Sequence, residues 1–328
     1  IDKAVVGIPF IHNPSAYDAD GDSLGYSLIS CKGENGNDIV GYQMPDASNS
    51  LSIDANGSLL WDSPIMVGEY NIAILIEEWR NEVKVGSIVR DMQITVAPNT
   101  INNIPPKIEV NNNFCVIAGD TLNIPVIAFD EDSVFTDNFG NYFWGSNNIP
   151  FGTTIIDTTF QKIKLSGTSG LFTFSETIDT QNISANLSVP TFCADVQKTP
   201  YQLVLKVKEQ SHSTVALSSM QSIEIKIIAP KVENVQLDSV MQMQKAIAVS
   251  WDASVCNNVT SYLIYRKDGA SNLVLDSCIT GLPNSSGFQQ IAEVLGLQNT
   301  IFVDDNNNNG LSEGINYCYR IVAKFVDG

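Results

Sequence analysis

The stretch Asn13-Pro14-Ser15-Ala16-Tyr17-Asp18-Ala19-Asp20-Gly21-Asp22-Ser23-Leu24 runs from a strand end into an acidic turn, and a variant of it returns as Ile124-Pro125-Val126-Ile127-Ala128-Phe129-Asp130-Glu131-Asp132-Ser133. In both, an Ala and an aromatic residue lead into a tight group of acids. The strands that close the two segments also match: Met92-Gln93-Ile94-Thr95-Val96-Ala97-Pro98 and Ile223-Glu224-Ile225-Lys226-Ile227-Ile228-Ala229-Pro230 alternate with period two and stop at Ala-Pro. Self-similarity at this period means a string of related modules, each too small to share one large core. Alternating runs such as Tyr70-Asn71-Ile72-Ala73-Ile74-Leu75-Ile76, bounded by turn clusters, are strands. No stretch sustains apolar residues at i, i+3, i+4 and i+7 behind a cap. The expected fold is therefore all-β, a tandem array of β-sandwich modules.

The 328 residues hold three such modules, expected at 1–98, 99–230 and 231–328, with the polar run from Asn99 to Pro106 as a short stiff linker. Both ends read as cut, since the chain opens in a strand and stops in a turn, and no basic segment with an apolar core precedes the first strand. Within the first module Asp54-Ala55-Asn56-Gly57 lies between two apolar runs, and its Asn-Gly step predicts a hairpin tip. Ser133 to Pro150, rich in Asn, Phe and Gly, reads as an extended surface loop. Trp61 and Trp251 stand where sandwich cores need bulk; among the tryptophans Trp144 is the candidate exposed aromatic contact, with core packing as the competing reading for it too.

Charge excludes several partners. The chain carries 18 basic and 36 acidic residues, a formal charge of −18, which repels a phosphate backbone and an anionic membrane surface. No run approaches the ~18 consecutive apolar residues of a membrane helix. Hydrolytic chemistry also lacks its parts. The two histidines are His12 and His212, there is no Gly-x-Ser-x-Gly elbow, and the adjacent Glu77 and Glu78 point to opposite faces of a strand. A non-enzymatic protein is expected.

Six cysteines, Cys31, Cys115, Cys193, Cys256, Cys278 and Cys318, include no Cys-x-x-Cys pair. Single cysteines in acidic β modules suit disulfides in an oxidising compartment, with buried free thiols as the alternative. Pairing within modules favours Cys115 with Cys193 and Cys256 with Cys278, and leaves Cys318 without a partner in this stretch. Calcium, which takes six to eight oxygens, is the candidate cofactor. Asp18, Asp20 and Asp22 around Gly21 supply a partial cage, Asp130 and Asp132 a weaker copy, and the competing reading is a solvated acidic turn. A second acidic loop at Asp305, Asn307, Asn309 and Gly310 begins an EF-hand register but places Asn316 where a bidentate Glu belongs.

In the third segment Trp251, the alternating strand Tyr262-Leu263-Ile264-Tyr265 and the late Gly314-Ile315-Asn316-Tyr317-Cys318-Tyr319-Arg320-Ile321-Val322-Ala323 resemble a fibronectin type III sandwich. That resemblance makes Tyr317 the tyrosine whose hydroxyl returns to the backbone. Asp18-x-Asp20-Gly21-Asp22-x-Leu24, followed by Ile53 to Gly57, Trp61 and Gly68-Glu69-Tyr70-Asn71, resembles bacterial cadherin-like modules. The whole succession, with Glu78-Trp79-Arg80-Asn81, Arg90-Asp91-Met92-Gln93-Ile94, Phe192-Cys193-Ala194-Asp195 and Pro200-Tyr201-Gln202-Leu203, is similar to surface proteins of Bacteroidota that carry a gliding-motility-associated C-terminal domain and leave by type IX secretion. The resemblance implies an extracellular or cell-surface adhesin or motility-associated protein. Its implied partners are outer-membrane or secretion components, surface polysaccharide or other cells. The alternatives it leaves are a fixed part of an outer-membrane assembly and the accessory modules of a larger secreted enzyme.

Overall fold

A computed structural model describes residues 2–99, 103–139, 141–144, 150–160, 162–171, 173–178, 181–210, 215–242, 245–276 and 278–326. The described residues form strands joined by turns and three-residue 3-10 segments, with no α-helix among them. The all-β reading holds, as tandem β-sandwich modules. The chain divides into two compact units. The first contains Ile1–Phe114, Asn123–Val189 and Tyr201–Ile225; the second contains Cys115–Leu122, Pro190–Pro200 and Lys226–Gly328.

The first unit opens with β1 (Asp2–Val5), β2 (Phe10–His12), β3 (Ser23–Ile29), β4 (Ala47–Ile53), β5 (Leu59–Pro64), β6 (Gly68–Arg80) and β7 (Val83–Ala97). They form one sheet ordered β1-β7-β6-β3 and another ordered β2-β5-β4. Because strand side chains alternate between faces, Leu59 and Trp61 of β5, Ile72, Ile74 and Ile76 of β6, and Met92, Ile94 and Val96 of β7 share one core. Burial of each such side chain contributes about 1.5–3 kcal/mol. Trp61 is fully buried, as its position predicts, and its indole donates to the Asp46 carbonyl at 2.9 Å. The predicted hairpin also forms. Gly57 takes φ +77°, and the Asp54 carboxylate accepts from the Asn56 and Ser58 amides.

The chain continues through β8 (Lys107–Glu109), β9 (Asn113–Ile117), β10 (Thr121–Phe129), β11 (Ser133–Asp137), β12 (Tyr142–Trp144), β13 (Ile155–Phe160), β14 (Ile163–Ser169), β15 (Thr173–Ile178), β16 (Asn182–Pro190), β17 (Tyr201–Glu209) and β18 (Ser218–Ile228). Their sheets are ordered β16-β10-β8, β12-β11-β13 and β15-β14-β17-β18-β9. On β17 the residues of one parity, Tyr201, Leu203, Leu205, Val207 and Glu209, are all buried. The stretch expected to be an extended loop instead contributes β11 and β12. The Asp137 carboxylate accepts from the Phe139 and Asn141 amides, 2.8 Å each, and so turns the chain tightly enough for the strands to pair. The side chain of Trp144 lies outside the described residues, as does His212.

Within the first unit the early and later strands are stitched together. The Asn56 amide at the hairpin tip donates to Glu224 at 3.1 Å, and Gln202 donates back to the Asn56 carbonyl. Ser15 donates to the Thr168 carbonyl at 3.2 Å. Tyr17 stacks on Tyr201 and fills the space a side chain at position 170 would need, so Gly170 is required by close approach.

The second unit carries β19 (Gln236–Met241), β20 (Ala246–Ser250), β21 (Val259–Asp268), β22 (Gln289–Leu295), β23 (Ile301–Asp304) and β24 (Tyr317–Phe325), in sheets ordered β19-β20-β23 and β22-β21-β24. Trp251 is buried edge-on against Tyr262. The Tyr317 hydroxyl accepts from the Ser312 amide at 3.0 Å, returning to the backbone as expected. Disulfides join Cys115 to Cys278, with Cα atoms 6.0 Å apart, and Cys193 to Cys256, 5.3 Å apart. The four bonded cysteines are the expected ones, but the pairing is exchanged. The reason is placement: Cys115 and Cys193 sit in the short pieces that belong to the second unit, and each meets a cysteine from 226–328 there. Asn258 donates to the Cys193 carbonyl and Lys226 to the Cys278 carbonyl, which holds both bridges in place. Cys31 and Cys318 are free thiols.

Candidate functional site

Both acidic turns lie in the first unit, and their surroundings differ. In the first, Gly21 adopts φ +76° and the Asp18 carboxylate accepts from the backbone amides of Asp20 and Asp22 at 3.0 and 2.8 Å. Antiparallel pairing of β3 with β6 sets Ser23 opposite Trp79, which places the next residue of β6, Arg80, beside the turn. The guanidinium spans both carboxylates. Its Nε and Nη2 donate to the two oxygens of Asp22 at 2.8 Å each, and Nη2 also donates to Asp20 at 2.9 Å. Asp22 first, and then Asp20, raise the Arg80 pKa. Partial burial acts to raise Asp18, yet a hydrogen bond with Glu78 and the turn amides hold it below its ordinary value, while Asp18 raises Glu78 in return.

The second turn follows β10. The Asp130 Oδ1 accepts from the Asp132 amide, and the Asp132 carboxylate accepts from the Ile104 amide, each at 2.8 Å. Through Ile104 the expected linker is drawn to the turn. Asn103, beside it, donates from Nδ2 to Glu209 Oε2 at 2.9 Å, and the Leu217 amide donates to the same oxygen at 2.8 Å. Asp130 and Glu209 are each only 2% exposed and Asn103 3%. Three of their oxygens, Asp130 Oδ2, Glu209 Oε1 and Asn103 Oδ1, are buried without a hydrogen-bond partner.

Such groups are costly to bury uncompensated. Burial pushes Glu209 up to about 8, with Asp130 and Asp132 adding like charge, and pushes Asp130 up to about 7, with Asp132 and Glu131 adding to it. Asp132 is raised too, by burial first. Lys107, four residues beyond Asn103, pairs at the surface with Glu131.

Calcium fits the two turns unequally. In the first, both oxygens of Asp22 and one each of Asp18 and Asp20 already accept hydrogen bonds from Arg80 or the backbone. In the second, unsatisfied hard oxygens of Asp130, Glu209 and Asn103, with Asp132 adjoining, match the donor type calcium takes. Among the described residues no three His, Cys, Asp or Glu side chains already converge at ligand spacing. A cation here would therefore draw the carboxylates inward, which calcium's loose coordination geometry allows. Of these residues Asp130 and Asp132 were legible in sequence as a copy of the first turn. Glu209 and Asn103 were not, although Glu209 continues the buried parity of β17 and that was its signal.

The third acidic loop is self-contained. Asp304 is buried and takes two hydrogen bonds from Arg266 and one from Tyr319, while Asp305 caps the Asn308 amide. Asn306, Asn307 and Asn308 all adopt positive φ, which asparagine tolerates well. His12 is buried with its Nδ1 3.0 Å from Asp2. The close approach of His12 is the main cause that holds the Asp2 carboxyl down to about 2.

No protein-family model matches the chain, and no curated protein does. Solved structures that share some of its arrangement include domains A168–A170 of titin, at 10% identity over 99% of this chain and 90% of that one, with a TM-score of 0.23. Another is the tandem Ig repeats of Dlar, at 11% identity over 70% of this chain and 94% of that one, with a TM-score of 0.24. The architecture described above rests on the sheets and cores themselves. No helix among the described residues is long and apolar enough to cross a membrane, and two disulfides fit an oxidising, extracellular setting.

Proposed function

We propose that this chain is a non-enzymatic segment of a secreted or cell-surface protein, a set of β modules that holds contact surfaces at defined spacing and is stiffened by calcium at Asp130, Asp132, Glu209 and Asn103. The observation that carries the reading is the group of buried, unpartnered oxygens at that turn. A folded protein keeps such groups when a ligand satisfies them. Calcium would neutralise the carboxylates and tie the Asn103–Ile104 segment to β10 and β17.

The resemblance to Bacteroidota surface proteins supports the finer reading of an adhesin or motility-associated protein exported by type IX secretion, with outer-membrane components, surface polysaccharide or other cells as partners. The test is a calcium titration of chelator-treated protein by calorimetry, together with attachment of the calcium-loaded protein to bacterial envelopes and polysaccharides. Saturable calcium uptake that Glu209→Gln abolishes is the expected result. No uptake would remove the stiffening role, and no attachment to any surface would remove the adhesin.

A further inference from the structure

The first acidic turn has the composition of a calcium turn and a different occupant. Asp20 and Asp22 offer three carboxylate oxygens to Arg80, and all three are taken at 2.8–2.9 Å. Asp18 Oδ1 is used twice by the turn's own amides. The arginine arrives by construction. It ends β6, and the residues that follow, Asn81 and Glu82, both adopt positive φ as the hairpin reverses into β7. Strand register on both sides of β6 therefore fixes where the guanidinium can reach. The side chain of Asp22 is 8% exposed, so its charge is shielded from water and acts on the arginine at close range.

We infer that Arg80 is the built-in cation of the first turn: it closes the Asp18–Asp22 loop and pairs with Asp20 and Asp22 in the place where calcium would sit, so that this turn binds no metal and stays ordered at any calcium level. A planar fork that donates to two carboxylates does the geometric work of an ion while remaining tethered to the chain. Calcium cannot share the site, because the oxygens it needs are the arginine's acceptors and the guanidinium repels it.

The test compares calcium stoichiometry by calorimetry, and melting temperature with chelator or calcium, in the full chain and its variants. Asp20→Asn with Asp22→Asn should bind as many calcium ions as the unaltered protein. Arg80→Met should bind one more, and calcium should raise its melting temperature further than that of the unaltered protein. Arg80→Gln reads the same difference should the Met variant fail to fold, and Arg80→Lys, which keeps the charge, should gain less calcium affinity than either. Loss of one bound calcium in the double Asn variant would overturn the inference, as would an arginine variant that gains none. Each comparison is a difference from the unaltered protein, so it stays decisive even if the turn at Asp130 binds nothing.

Discussion

The turn at Asp18–Asp22 leads into β3 and the turn at Asp130–Asp132 follows β10, and the two differ in the charge that faces them. In the first, the adjoining strand delivers Arg80, and the turn is half open to water with its carboxylates paired. In the second, β17 of a different sheet delivers Glu209, a fourth acid beside Asp130, Glu131 and Asp132, into a buried setting. Similar turn sequences thus have opposite electrostatics because the residue facing each one is supplied from elsewhere. What a carboxylate turn can bind is decided by the residue that packing sets against it, from the same sheet or another, as much as by its own spacing.

The largest effect that could break this contrast is calcium removal. At a hundredfold excess over its dissociation constant a ligand stabilises by about 2.7 kcal/mol. Chelation should therefore lower the denaturation midpoint of the unaltered protein clearly and leave that of Glu209→Gln almost unmoved. Equal chelator sensitivity in both proteins would erase the distinction between the turns.

Without metal, pH should sharpen it. The folded pKa of Glu209 is raised from 4.5 to about 8 and that of Asp130 from 3.8 to about 7, so the folded state holds protons that the unfolded state releases. A raised carboxyl leaves no penalty below its unfolded pKa and the full penalty above its folded one. In chelator, stability should fall as pH rises from about 4 to about 8, and Glu209→Gln should flatten much of that slope. Urea midpoints across the range measure it, and a midpoint that rises toward pH 8 would contradict the assignment.

Next in size is Asn103→Ala. It removes one hydrogen bond to a buried carboxylate, a loss of about 1–3 kcal/mol, visible in chelator as a lower midpoint. Smallest is Asp20→Ala. Its carboxylate is largely exposed and Arg80 keeps both oxygens of Asp22, so the midpoint should move within the scatter of exposed ion pairs. A large loss there would mean that the first turn depends on Asp20 far more than an exposed pair allows.

Much of the architecture was legible because it follows from local rules. Period-two alternation marks β6 and β10, Asn56-Gly57 marks a hairpin tip, and Trp61 and Trp251 occur where strands need a large core residue. Tyr317 returns its hydroxyl to Ser312 within five residues of chain. The disulfide partners were not legible in the same way. Cys115 bonds a cysteine 163 residues later, and sequence alone offers no reason to prefer it to Cys193. Ser133 to Trp144 was misread because its two strands are short and the Asp137 carboxylate that turns the chain between them is a single residue in an otherwise irregular pattern.

The sequence by itself determined strand content, the positions of core aromatics and the presence of two acidic turns, since each depends on residues close together in the chain. Tertiary structure alone decided which turn meets Arg80 and which meets Glu209, how the cysteines pair, and that Tyr17 packs into the space above Gly170. Each of these depends on strand register and sheet order. They bring together residues tens to more than a hundred positions apart, and no local pattern in the chain encodes that distance.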